Sequence, residues 1–374
     1  MREGWQFKRL VDVATLQRGF DLPTHERLGG DVPLVTSSGI SDMVDSSAVI
    51  GPGVATGRSG SIGKVFFLDQ DFWPLNTVLY VKDFHGNDQR FIFYLLQNLD
   101  LSRFATGTGV PTLNRNFVHD EVVCVPPLPE QQRIAALLDE AFAGLATAKA
   151  NAERNLRNAR AIFESHLQSV FSQRGEAWVE KCLDELCTFS SGGTPSKANK
   201  SYWEGEIPWV SGRDMKSTRL SDSALHISQA AVAESATRMA SVGTLLILVR
   251  GMGLAHGAQI TELLVPCAFN QDIRGIHAKP GLLPRYLLFA LRDGINSSDT
   301  VLSSAAHGTL KIDSNELAKV IIPFPPLEQQ QSIVSAIDTL AEETQRLTRL
   351  YERKLAALEE LKKSLLHQAF NGEL

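Results

Sequence analysis

The stretch VPPLPEQQRIAALLDEAF, beginning at Val125, returns late in the chain as FPPLEQQQSIVSAIDTLA, beginning at Phe324. Pro126 recurs as Pro325 and Ile134 as Ile333, a constant spacing of 199 residues. Without a gap, the same register pairs Gly109 with Gly308, Asn116 with Asn315, Asp139 with Asp338, Leu156 with Leu355 and Phe171 with Phe370. An ungapped internal match of this length makes the chain a doubled unit, and any fold assigned to one half must serve the other.

The repeat divides the sequence into four parts: a mixed unit at 1–125, a helix at 126–174, a second mixed unit at 175–324 and a second helix at 325–374. In the first helix Ile134, Leu138, Ala141, Leu145, Ala148, Ala152, Leu156, Ala159, Phe163, Leu167 and Val170 recur at steps of three and four, which places one apolar stripe along its whole length. The register carries that stripe onto Ile333, Ile337, Leu340, Thr344, Leu347, Tyr351, Leu355, Leu358, Lys362, Leu366 and Ala369. Neither segment contains an internal proline, and only Gly144 interrupts the first. At 1.5 Å per residue such helices reach about 66 Å, too long to bury their stripes against a small domain. Two in one chain most simply bury each other with coiled-coil packing. The Pro-Pro before each ends the preceding strand and sets the entry angle.

The globular parts read as short strands between glycine-rich turns. Thr77–Phe84, Gly63–Asp69, Gly243–Arg250 and Lys319–Phe324 favour strand. Arg90–Leu99 and Leu283–Gly294 read as helices in matching places. Trp5 answers Trp178, VPLV (32–35) answers IPWV (207–210), and LNT (75–77) answers FNQD (269–272). Between these landmarks the units diverge. The fold class is therefore α+β: two mixed α/β domains separated by two long helices, with an internal repeat.

Composition narrows the function. The chain is 374 residues long, 43% hydrophobic and 21% charged, in the range of a soluble protein with room for two cores. No run of about 18 apolar residues predicts a membrane span, and MREGWQFKRLVDVATL lacks the apolar stretch of a secretory signal, so a cytoplasmic location is expected. Cys124, Cys182, Cys187 and Cys267 form no CxxC pair, and the nine histidines show no ligand spacing. They are expected to be buried free thiols, with no metal. A net charge of −5 weighs against indiscriminate nucleic-acid binding but leaves room for local basic clefts.

Catalytic motifs fail on inspection. RSGSIGKV (58–65) resembles a phosphate loop, but Arg58 stands where glycine is needed and Val65 where a magnesium-binding hydroxyl is needed. VPPL and FPPL lack the Asn or Asp and the aromatic ring with which an amino-methyltransferase loop grips a flipped base. Glu352-x-Lys354 and Glu360-x-Lys362 lie on the second long helix without the upstream Pro-Asp of a nuclease. No catalytic role is expected.

The doubled PPL-x-x-QQ-x-I helix opening, SGGTPSK (191–197), IPWVSGRDM (207–215), ATGRSGSIGKV (55–65) and the phrase LLHQAFNGEL (365–374) resemble the specificity subunit of type I restriction-modification enzymes. The resemblance covers the whole chain. It implies two target-recognition domains, each reading half of a bipartite, asymmetric double-stranded DNA site, held apart by the two long helices, which lie antiparallel as a coiled coil and give the internal repeat a pseudo-twofold axis. It also implies docking of two methyltransferase subunits and, with them, two restriction-translocase subunits. S-adenosylmethionine, ATP and magnesium would belong to those partners, and this chain would carry no cofactor. A non-DNA coiled-coil adaptor displaying two protein-binding domains is the alternative.

Polar and basic residues in glycine-rich loops can reach base edges and phosphates. In the first unit the DNA-binding candidates are Arg18, Ser37, Ser38, Arg58, Ser59, Lys64 and Arg115. In the second they are Ser191, Thr194, Ser196, Lys197, Lys200, Arg213, Arg250 and Lys311. Arg58 and Arg250, each ahead of a glycine, look like matching positions.

Overall fold

The computed structural model describes residues 4–107, 111–173, 175, 177–251, 254, 257–297, 301–304 and 310–374; Gly109 and Gly308, matched in the repeat, lie outside them. The chain forms two compact units, one from Met1–Asn155 with Leu350–Leu374, the other from Leu156–Arg349. Helices α1 (Gln89–Asn98), α2 (Arg115–His119) and the opening of α3 (Leu128–Ser172) belong to the first. The second holds α4 (Leu183–Leu186), α5 (Gln229–Glu234), α6 (Pro284–Asn296), α7 (Ser314–Ala318) and the opening of α8 (Leu327–Phe370). Helix α3 closes in the second unit and α8 in the first, so each unit contains the start of one long helix and the end of the other.

In the first unit a four-stranded antiparallel sheet runs Thr15–Arg18, Val78–Asp83, Gly53–Gly57, Val65–Leu68, beside a three-stranded sheet of Gly39–Val44, Val32–Thr36 and Trp73–Pro74. In the second, a five-stranded sheet runs Cys187–Ser191, Ile273–Ala278, Leu245–Leu248, Ile260–Leu263, Arg219–Leu220, beside a four-stranded sheet centred on Ile207–Val210 and Cys267–Phe269. Strands Gln6–Arg9 and Val122–Val125 pair antiparallel at the base of the first unit, and Val179–Cys182 and Ile321–Phe324 do so in the second. Each base pair of strands leads through Pro-Pro directly into a long helix.

The cores are built alike. Phe91, Ile92, Leu95 and Leu96 on one face of α1 are buried against Ile134 and Leu138 of α3 and Leu366, Ala369 and Phe370 of α8. Tyr286, Leu287 and Phe289 of α6 are buried with Leu167 and Phe171 of α3 and Ile337 of α8. Each such side chain contributes about 1.5–3 kcal/mol on leaving water. The matched residues Phe370 and Phe171 stack on the third residue of α1 and α6: Phe370 lies 5.2 Å from Phe91, and Phe171 lies 5.7 Å from Tyr286.

Within the first unit the two helix segments run antiparallel. Lys149 Nζ lies 2.5 Å from Glu359 Oε1, and Lys362 Nζ stands 5.2 Å from the Phe142 ring centroid. Every position of both apolar stripes is buried or half-buried except Lys362, whose stem covers that ring while its ammonium stays in water.

The repeated glutamine has a structural purpose. Gln131 is buried; its amide donates to Pro126 O and Asn87 Oδ1, and its Oε1 accepts from the N–H of Asp88, the residue capping α1. Gln330 repeats this, donating to Pro325 O and Gly281 O and accepting from the N–H of Leu283, which caps α6. Asp139 and Asp338 complete the joint by accepting from the second residue of each short helix, Arg90 Nε at 2.7 Å and Arg285 at 2.7 and 3.0 Å. The α1 and α6 starts are thus pinned to the long helices by the same two contacts.

Two of the four cysteines depart from expectation. Cys187 and Cys267 are buried, and burial pushes their thiols up to about 12. Cys124 and Cys182 are only half-buried, because both lie in the two-stranded base, where one face meets solvent.

Candidate nucleic-acid interface

The first unit gathers three of its predicted arginines around one cleft of about 410 Å³, lined by Arg18, Arg58 and Arg115 with Thr106, Asn114 and Asn116. Arg18 ends an edge strand and is half-exposed beside Asp21 at 3.3 Å. Arg58 follows the buried central strand Gly53–Gly57, and its guanidinium donates to Asn76 O at 3.3 Å. Arg115 opens α2, whose cap is Asn114. Helix α2 is tied to the sheet by His119, whose Nε2 accepts from Leu16 N–H at 2.8 Å. Burial, then the nearby Arg115 charge, holds the His119 imidazole below its ordinary range and favours the neutral acceptor that this bond requires.

Ser37 and Ser38 sit on the turn joining Val32–Thr36 to Gly39–Val44, and Ser38 Oγ lies 3.0 Å from Thr36 Oγ1. The turn abuts the glycine loop: a side chain at Gly60, where φ is +82°, would meet Ser37 Oγ at 3.2 Å. Ser59 bridges to Thr112, and Lys64 is exposed at the far side of the loop.

In the second unit the candidates fall into two groups. Arg213 and Arg250 line a cleft of about 420 Å³ with Ser211, Asn270 and Asp272, and Arg250 bridges to Lys311. Lys197 and Lys200 line a different recess with Trp203 and Leu225. Thr194 donates to Gln271 Oε1 at 2.6 Å, and Ser196 O accepts from Trp203 Nε1. Ser191 ends the edge strand, and its Oγ accepts from Arg274 at 2.8 Å.

Two comparisons between the units come only from backbone pairing. Gly19 and Gly192 occupy the same tight place: a Cβ on either would lie 2.3 Å from the carbonyl oxygen of a matched residue after the neighbouring strand, Leu75 and Asn270. LQRGFDLP is thus the first unit's version of SGGTP. Arg58 and Arg250, in contrast, do not match. Arg58 N–H donates to Thr77 O and its carbonyl accepts from Leu113, the pattern that Val249 makes with Asp272 and Ile312. Arg250 therefore stands one residue further along the frame and corresponds to Ser59. A glycine following an arginine misleads because Gly60 and Gly251 share a frame position while Arg58 stands two residues before its glycine and Arg250 one before.

Arg274 escaped the search for basic residues in glycine-rich loops because it lies mid-strand in Ile273–Ala278. The signal was available: it is the strand partner of Ser191, itself a candidate. Among the described residues, Cys182, Asp184 and Glu185 bring ligand-type atoms within 4.8 Å of one another, but there Glu185 Oε1 accepts from Cys182 N–H as the cap of α4.

The chain matches the family model for the type I restriction modification DNA specificity domain over residues 2–154 and again over 175–359. It belongs to this family. The two matches enclose the two clefts just described, one apiece. The chain is 29% identical over 275 residues to the EcoR124I/EcoR124II specificity subunit of Escherichia coli, a match covering 71% of this chain and 66% of that protein. It is 28% identical over 182 residues to the MjaIX specificity subunit of Methanocaldococcus jannaschii, covering 47% and 41%. The matches thus span less than two thirds of these relatives' lengths. A solved chain from work on complex assembly and conformational transition of the type I R-M system shares the fold over 100% of this chain and 99% of its own, at a TM-score of 0.78 and 18% identity. The HsdS subunit of Thermoanaerobacter tengcongensis does so over 100% and 98%, at 0.58 and 18%. Specificity subunits are the non-catalytic DNA-recognition components of type I systems. Among the described residues, no helix is long and apolar enough to cross a membrane.

Proposed function

We propose that this chain reads a bipartite, asymmetric double-stranded DNA target, one half through each unit, and docks two methyltransferase subunits with, through them, two restriction-translocase subunits. The observation that carries the reading is the pairing of identical joints with unlike clefts. Gln131 and Gln330, and Asp139 and Asp338, hold α1 and α6 in the same way, whereas the basic residues above them differ. A dimer of identical readers demands a palindrome; a doubled chain whose readers have diverged can accept an asymmetric site. Net charge of −5 fits with local cationic clefts on an otherwise acidic surface, which supplies phosphate contacts without broad affinity for DNA.

Sequencing of methylated motifs in cells carrying the system tests this directly. A bipartite motif with unlike halves is expected, and a short contiguous motif would sink the reading. In vitro, Arg58→Ala and Arg250→Ala are each expected to weaken binding of the cognate duplex at moderate salt, by about tenfold if either contacts a base. A gel shift with the methyltransferase subunits present measures it. Failure of that complex to bind any duplex would favour the protein-binding adaptor.

A further inference from the structure

The two readers share one backbone frame but carry their cations at different places on it. Arg18 pairs with Leu79 across the strands as Ser191 pairs with Arg274. Arg58 corresponds to Val249, and the next residues, Ser59 and Arg250, bridge to Thr112 and Lys311. Gly57 N–H meets Lys64 O where Leu248 N–H meets Gln259 O. Arg115 and Ser314 open the short helices α2 and α7 behind the caps Asn114 and Asp313. Seven frame positions thus carry a cation in one unit or the other, and none carries one in both. At two further matched places cations do coincide: Lys8 and Lys181 face the matched Val123 and Ile322 in the base strands, and Arg90 and Arg285 of α1 and α6 bind the matched aspartates.

We infer that the placement of cations on this common frame, with Arg274 a principal one, determines which half-site each unit reads. The inference rests on the DNA-reading function proposed above. Phosphate contacts position a protein without reporting sequence, whereas an arginine fork aimed at guanine O6 and N7 reports it. Moving a guanidinium to the neighbouring strand displaces it by about 4.8 Å, more than the roughly 3.4 Å between successive bases on a strand. Arg274 is built for this: its two terminal nitrogens donate to Ser191 Oγ and Ser314 Oγ at 2.8 and 3.0 Å, which holds the fork still and leaves further N–H donors for an acceptor edge. The first unit has the reverse arrangement, an apolar Leu79 flanked by Arg18 and Arg115.

The test selects bound sequences from duplexes with a randomised core, using the full chain with its methyltransferase subunits. Ser191→Arg combined with Arg274→Leu transplants the Arg18–Leu79 arrangement into the second unit without changing net charge. Preference at one or two base pairs of a single half-site should change by about tenfold, the other half-site staying as in the parent. Arg274→Lys keeps the charge but loses the fork, and should relax preference in that same half-site; it also decides the matter if the double variant melts early. A well-folded Arg274→Lys with both halves of its motif intact, or changed alike, overturns the inference. If the parent selects no motif at all, the DNA-reading function fails with it; a normal parental motif with unresponsive variants refutes only the role of cation placement.

Discussion

Gln330 and Gln329 adjoin in sequence but differ in what depends on them. Gln330 is fully buried and satisfies a backbone donor and two carbonyls, whereas exposed Gln329 accepts one bond from Trp178 Nε1 at 2.8 Å. Gln330→Leu strands those groups inside the protein and should cost about 3 kcal/mol, against about 1 kcal/mol or less for Gln329→Ala. Denaturant midpoints at constant slope measure both. His119 gives the first unit a dependence on pH. Its folded-state pKa is depressed, so the stability it contributes is complete above its ordinary value near 6.5 and is lost as pH falls through the lower folded value. His119→Asn, which can accept the Leu16 N–H without titrating, should flatten the fall in melting temperature between about pH 7 and 5. His277, likewise lowered by burial, remains in that variant, so the slope should shrink rather than vanish.

At the scale of elements, the matched aspartates anchor α1 and α6 in different surroundings. The Arg285 side chain is 10% exposed and shared between Asp338 and Glu262, while Arg90 is 36% exposed. Asp338→Ala leaves a buried guanidinium short of a partner and should destabilise by about 3 kcal/mol. Asp139→Ala, at a wetter site, should cost about 1 kcal/mol. Thermal unfolding of the two variants side by side checks the order, and equal losses would show that the repeat is energetically symmetric. The strands and both classes of helix were legible in advance from period and length: Thr77–Phe84, Gly243–Arg250 and the long stripes have elements within their predicted spans, and α1 is shifted by one residue from Arg90–Leu99. The Arg274–Ser191 pair was not, because its members meet only through strand pairing across 83 residues.

For the whole molecule, each long helix begins in one unit and ends in the other, so the helices are the elements that the two units share. Inserting whole turns at matched positions of α3 and α8 should lengthen the spacer tolerated between the half-sites while leaving both half-sites unchanged. Motif selection on the variant complex reads this out. A spacer that stays constant would mean that something other than the helices sets the separation.

The sequence by itself determined the doubling, the two amphipathic rods and the absence of familiar catalytic motifs, because repeat register and helical periodicity are local properties that survive without coordinates. It also pointed to most of the cleft arginines, since glycine turns advertise exposed backbone. Only the tertiary structure decided what the repeated glutamine is for, that Arg250 corresponds to Ser59 rather than Arg58, and that Arg274 joins Ser191 across the strands. Each of those depends on hydrogen bonds between residues far apart in the chain, and strand register is not written in either partner alone.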